Sequence, residues 1–146
     1  MIGEYVMTEQ NCRGTRRARR SVALAAYQMD SHHVRRYVDA DGCVRNEGDI
    51  QVHRDADGLP FLPYPIDYGA IVPKRGECAN LLVPVCLSAS HIAFGSIRME
   101  PVFFALGQAA GTAASLCVEK GCAVQDLKYP DLRRRLLVDG QRLSAD

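Results

Sequence analysis

Ser88, Ser90, His91, Ser96 and Arg98 fall in one short stretch, LSASHIAFGSIR, between an apolar run and a long helical pattern. Serine hydroxyls donate and accept, an imidazole carries a proton near neutrality, and a guanidinium holds an anion. The helix predicted to begin near Glu100 would add unpaired N–H groups and about half a positive charge at its first turn. Such a terminus attracts phosphates and other electron-rich groups. Strand, polar loop and helix start together form a ligand-binding topology. His91 is open to two readings, a proton relay or a loop histidine bonded to backbone. Arg98 is likewise an anion-binding group or one half of a structural salt bridge.

Other candidates carry less chemistry. Six cysteines are present, at 12, 43, 78, 86, 117 and 122, with no C-x-x-C pair. Cys117 and Cys122 are the closest two, and along a continuous helix they do not share a face. No metal or cluster site is expected, and the cysteines read as thiols of a reducing compartment. DADG occurs at 39–42 and 55–58 without the longer loop and distal Glu of an EF-hand, so both copies read as turns. His32 and His33 read as surface residues, and Glu47 and Asp49 are not taken as an acid–base pair. Arg13, Arg16, Arg17, Arg19 and Arg20 form a basic run. No aromatic residues interleave with it for base stacking, and residues 37–67 carry seven acidic against two basic side chains. The run therefore reads as a solvated loop rather than a nucleic-acid patch.

The elements that must position these groups follow from pattern. GEYVMT, within residues 1–12, has strand composition. Val34–Val38, the turn at 39–42 and Cys43–Arg45 read as a hairpin, and Ile50–His53 as a further strand. Leu59–Pro65, with three prolines, reads as extended or edge chain. Tyr64–Val72 has β-like composition. Asn80–Cys86, NLLVPVC, reads as a short buried strand, and Leu87–Arg98 as a loop. A helix follows from Glu100 to about Lys120, with Pro101 in its first turn and Gly121 as its stop. Gly107, Ala110, Gly111 and Ala114 give it one very small face, suited to close packing on another backbone. A last helix, Asp131–Val138, places Leu132, Leu136 and Leu137 on one side.

The chain has 146 residues, a net charge of +1, 47% hydrophobic and 24% charged residues. That is ordinary globular composition, and it argues against a generally basic nucleic-acid binder. The apolar stretch Val102–Val118 is interrupted by Gln108, Thr112 and Ser115, and reads as short and polar for a membrane span. No basic segment followed by an apolar one opens the chain, so no signal peptide is expected and a cytoplasmic location is.

The run NLLVPVCLSASHIAFGSIRMEPVFFALGQAAGTAA resembles the C-terminal FAD-contacting segment of FAD-dependent oxidoreductases. The group is the one with a glutathione-reductase-like FAD fold that includes heterodisulfide-reductase-A-like flavoproteins. GEYVMT, YQMDSHHVRRYVD, RNEGDIQV and YPIDYGAIVPKRGECANLL resemble the stretch before it, so the likeness covers residues from about 2 to about 140. The resemblance implies FAD as cofactor, with the long helix directed at the pyrimidine edge of the flavin. It implies a cofactor-binding set of Cys86, Ser88, Ser90 and His91 in the strand-end loop, Ser96, Ile97, Arg98 and Met99 leading into the helix, and Glu100, Pro101 and Val102 beginning it. His91 and Arg98 are the implied catalytic candidates, and Gln108 and Gly111 would be packing positions on the helix. Pro84-Val85-Cys86 stands where many such flavoproteins have Gly-Asp, and Gly69 where related sequences have Arg. Some relatives also carry a 4Fe-4S cluster.

The strand–GxGxxG–helix start of a dinucleotide-binding fold is absent from this sequence. The expected fold class is therefore α/β (α+β in isolation), the C-terminal portion of an FAD/NAD(P)-binding fold plus the β-rich end of a substrate domain. Residues 1–75 would end that substrate (cap) domain, and residues 76–146 would complete the FAD domain. The expected function is a C-terminal fragment of an FAD-dependent oxidoreductase that transfers hydride or electrons through FAD in the intact protein and is inactive alone. Its expected partners are FAD, a small-molecule substrate and the missing N-terminal half as a separate chain, with neither nucleic acid nor membrane. Two alternatives stand beside it: a non-catalytic interaction module using the Arg13–Arg20 run, and one subunit of a split flavoenzyme.

Overall fold

A computed structural model describes residues 1–52 and 62–145. The chain is mixed α/β. Its strands are β1 Ser21–Ala25, β2 Met29–Ser31, β3 Arg35–Val38, β4 Val44–Glu47, β5 Ile50–Val52 and β6 Tyr64–Asp67. Its helices are α1 Glu9–Cys12, α2 His91–Ile97, α3 Glu100–Lys120 and α4 Tyr129–Val138. The strands form three antiparallel two-stranded ribbons, β1–β6, β2–β5 and β3–β4.

The core lies where β1 and β6 meet α3 and α4. Val22, Ala23, Ile66, Leu106, Ala109, Ala113, Leu132 and Leu136 are buried there in one apolar cluster. Each fully buried Leu contributes about 1.5–3 kcal/mol. Pro65 is tolerated because β6 pairs only with β1 among the described residues. Gln141 ties the C-terminal tail down by donating its amide to the carbonyls of Ala105 and Val22.

The hairpin expected around residues 39–42 is present. Asp39 Oδ1 accepts from Asp41 N at 3.0 Å and Cys43 N at 2.9 Å, and Arg45 holds the other carboxylate oxygen at 2.7 Å. That explains this DADG without a cation. The second copy, at 55–58, lies outside the described residues, as do 59–61, while Tyr64 and Pro65 open β6.

Several expectations need correction. GEYVMT is not a strand. Only the isolated bridges Gly3–Pro73 and Met7–Ala89 form there, and α1 follows, with Asn11 Oδ1 accepting from Thr8 N at 2.9 Å. Tyr64–Val72 is β only to Asp67, whose carboxylate accepts from Gly69 N and turns the chain into a 3-10 turn. Asn80–Cys86 is not a buried strand. It is irregular, with Leu81 and Val85 exposed, because among the described residues no strand pairs with it to complete a ladder and Pro84 removes a donor. Leu87–Arg98 is not a loop throughout, since Ser90 caps α2. β1 and β2 escaped the sequence reading altogether.

α3 runs as expected and stops at Gly121, with φ 60°. By length and composition it could cross a membrane, contrary to the reading of that stretch as short and polar. One face, with Val102, Leu106, Ala113 and Leu116, is buried in the protein. Of the small face, Ala110 is buried, but Gly107, Gly111 and Ala114 are exposed, and a Cβ at Gly107 or Gly111 would meet nothing within 4 Å; Gln108 is exposed as well. Gln108 and Gly111 are therefore not packing positions here. α4 starts at Tyr129, and its Leu137 faces solvent rather than the core.

Candidate functional site

α2 is placed by its two ends and by one glycine. At its start, Ser90 Oγ accepts from Ala93 N, and Ser90 N donates to Met7 O at 2.8 Å. In its middle, Gly95 lies against β2, where a Cβ would stand 2.4 Å from the Asp30 carbonyl oxygen. Only a residue without a side chain allows that approach. At its end, Ser96 accepts from the Tyr64 hydroxyl at 2.7 Å and donates to the Tyr27 carbonyl.

This seam gathers the polar groups. Arg98 Nη2 reaches Asp30 Oδ2 at 3.0 Å, and His91 Nε2 and Ser31 Oγ are 3.3 Å apart. His32 Nε2 lies 3.9 Å from the same Asp30 oxygen. Asp30, Ser31, His32, His91, Gly95 and Arg98 line a shallow groove of about 230 Å³. Sequence reasoning missed Asp30 and Ser31, because the acid that meets Arg98 arrives from 68 residues away. The polar run MDSHH was the available signal.

α3 begins two residues past Arg98, at Glu100. Met99 occupies its cap position and gives no side-chain hydrogen bond, and Pro101 lies in the first turn. Glu100 is the acid of that turn and complements the helix dipole there. The first turn is exposed at Glu100 and Pro101 and buried at Val102.

The expected set is thus divided. Cys86, His91, Glu100 and Pro101 are exposed, and Ser90, Arg98 and Met99 are half-buried. Ser88, Ser96, Ile97 and Val102 are buried. Ile97 and Val102 serve the core, and Ser96 serves Tyr64 and Tyr27. The Ser88 hydroxyl is buried without a hydrogen-bond partner. His91 and Arg98 share the groove against β2, Met99 packs against the core, and Cys86 is exposed on the irregular segment. Beneath the seam, burial pushes the Tyr64 hydroxyl far above its ordinary pKa, and burial raises the Cys12 thiol as well.

A second, larger groove of about 570 Å³ runs along the small face of α3. Leu82 and Pro84 line it together with Gly111, Ala114, Cys117 and Cys122.

The arginine run is largely occupied within the chain. Arg13 pairs with Glu9, Arg16 lies over the Tyr5 ring, and Arg20 bonds Asp67 and Glu4. Among the described residues no group of three or more His, Cys, Asp or Glu side chains is arranged to hold a metal ion.

A family model described as FAD dependent oxidoreductase matches residues 1–136. No curated protein and no solved structure matches the chain.

Proposed function

The chain belongs to the FAD dependent oxidoreductase family, and from that premise we propose that it supplies the ring end of a flavin site whose nucleotide-gripping part is carried by other polypeptide. The family implies FAD and a flavin-dependent redox function. The observation that carries the finer reading is the first turn of α3, which no side chain caps. A helix of 21 residues carries partial positive charge at this end; Val102 N and Phe103 N bond Met99 O and Pro101 has no N–H, so the Glu100 N–H is the first-turn donor left to face an electron-rich group. The residues therefore fit one end of the cofactor. They do not offer a phosphate cradle, since the sequence has no GxGxxG.

Bound FAD would supply the acceptor and donor of hydride or electrons. The chain's own residues would set its surroundings. The start of α3, at Met99–Val102, would favour negative charge on the ring edge. Arg98 would add positive charge from a position fixed by Asp30. His91 would hold or release a proton at Nε2, the atom that now faces Ser31. Ser88 and Ser90 would lie behind them.

In this reading residues 76–146 complete an FAD domain of glutathione-reductase-like type, and residues 1–75 end a substrate domain. The chain would be inactive by itself, as a truncation or as one subunit of a split enzyme. Titration of the purified chain with FAD, followed by flavin fluorescence, tests this. Binding weaker than about 100 μM is expected for the chain alone. Co-expression with a polypeptide encoded immediately upstream, carrying strand–GxGxxG–helix, should give a yellow complex. Tight, stoichiometric FAD on the 146-residue chain alone would overturn the divided-site reading.

A further inference from the structure

Cys117 and Cys122 would diverge along a continuing helix, but α3 ends between them. Gly121 adopts φ 60° and ψ 38°. The Cys122 N–H then donates to the Cys117 carbonyl at 3.0 Å, and the Gly121 N–H to Val118 at 3.2 Å. These two bonds define a Schellman ending, which folds the residue after the glycine back against the residue five positions earlier. That contact is usually apolar; here both partners are cysteines. The Cys117 thiol reaches past the turn to the carbonyl oxygen of Ala123, the residue next to Cys122, at 3.9 Å. Cys117 is buried, Cys122 half-buried, and both face the groove beside α3.

We propose that Cys117 and Cys122 form a reversible redox pair, closing to a disulfide when the chain meets a hydroperoxide. Cys122, the more exposed sulfur, attacks a peroxide oxygen. The O–O bond breaks, Cys122 becomes a sulfenic acid, and the other oxygen leaves as alcohol (water, from hydrogen peroxide) with the thiol proton. Cys117 then attacks the Cys122 sulfur. The S–O bond breaks, the S–S bond forms, and water leaves with the Cys117 proton. Two thiols lose two electrons and the hydroperoxide gains them. Two equivalents of a small thiol reverse the closure by exchange, passing through one mixed disulfide. The division of roles follows from environment. Burial, then the Cys122 thiol beside it, raise the Cys117 pKa, so Cys117 keeps its proton until the sulfenic acid forms next to it. The short span suits closure, because the ending already sets the Cys122 backbone against that of Cys117.

The competing partner is Cys78. Its carbonyl accepts from Gln125 Nε2 at 2.8 Å, and Val124 N donates to Ala79 O at 3.1 Å, which brings its segment to the same groove. Tryptic mapping separates the possibilities. Trypsin cleaves after Arg98, Lys120 and Lys128, so Cys117 and Cys122 fall on different peptides, Met99–Lys120 and Gly121–Lys128. The full native chain is treated with hydrogen peroxide, its remaining thiols are alkylated, and it is digested without reduction. These two peptides should appear joined, lighter by two hydrogens than their sum, and should separate with glutathione. Cys117→Ser and Cys122→Ser should each abolish the joined species. The wild-type digest decides the matter even if a variant folds poorly. Both peptides recovered alkylated after peroxide would overturn the proposal. So would Cys122 joined to Gly76–Arg98, which carries Cys78 and Cys86, or Cys122 oxidised onward to sulfinic acid. The proposal is independent of whether the chain binds FAD.

Discussion

The Arg98 guanidinium at the end of α2 meets the Asp30 carboxylate of β2 at 3.0 Å, with the Arg side chain 34% exposed and the Asp side chain 13% exposed. The pair joins the turn that launches α3 to a strand far away in sequence. A half-buried pair of this kind couples by about 1 kcal/mol. In a double-mutant cycle of Asp30→Asn and Arg98→Met, urea unfolding should return a coupling of that size. Coupling near zero would mean that the pair does not position Arg98.

Ser96 is the more costly residue to lose. It accepts from the buried Tyr64 hydroxyl and donates to the Tyr27 carbonyl. Ser96→Ala leaves both without a partner, at a cost of about 1–3 kcal/mol. Tyr64→Phe removes donor and hydroxyl together and should cost less. Equilibrium unfolding of the two variants gives the order, and a reversed order would show that water replaces Ser96.

The acid dependence of stability has a defined source at the junction of α3 and α4. Lys120 Nζ lies 3.0 Å from Asp131 Oδ2, and this neighbour lowers the Asp131 pKa below its model-compound value of 3.8. A carboxyl whose pKa is depressed on folding binds its proton more readily when unfolded. Its stabilisation is therefore complete above pH 3.8 and fades as the pH falls through the folded value. Asp131→Asn should flatten that part of the stability profile while leaving the region above pH 5 with a constant offset. Urea midpoints measured at intervals through the acid range check this, and an unchanged acid slope would place the titration elsewhere.

Periodicity and turn chemistry made part of the fold readable. α3, its stop at Gly121 and the Asp39–Gly42 turn depend on neighbours in sequence, and they stand where local rules place them. α2 was hidden because Ser90, His91 and Gly95 look like loop residues, whereas Ser90 is a cap and Gly95 a contact with β2. The strand expected at Asn80–Cys86 depended on a flanking ladder, and apolar composition alone does not create one. Arg98 was readable as a charged group but not as the partner of Asp30. The meeting of Cys117 with Cys122 was missed because helical spacing was carried past the residue that ends the helix. Gly121 was itself the signal that could have corrected it.

Glycines provide the sharpest test of which face of each helix is covered. Gly95→Ala would drive a Cβ to 2.4 Å from the Asp30 carbonyl oxygen, which is backbone and has little room to move. The substitution should cost about 1–3 kcal/mol, as overpacking does. Cβ atoms at Gly107 and Gly111 would meet nothing within 4 Å outside the helix itself. There the helical gain should dominate, and each alanine should stabilise the chain by about 0.5–1 kcal/mol. The contrast arises although both glycine environments lie on helices, because β2 closes on one and open groove faces the other. Urea unfolding of the dilute chain measures all three variants. If Gly107→Ala or Gly111→Ala destabilises the isolated chain, the small face of α3 is covered rather than open. If instead both stabilise the chain alone but weaken its assembly with a polypeptide encoded immediately upstream, the small face is where that partner closes on the helix.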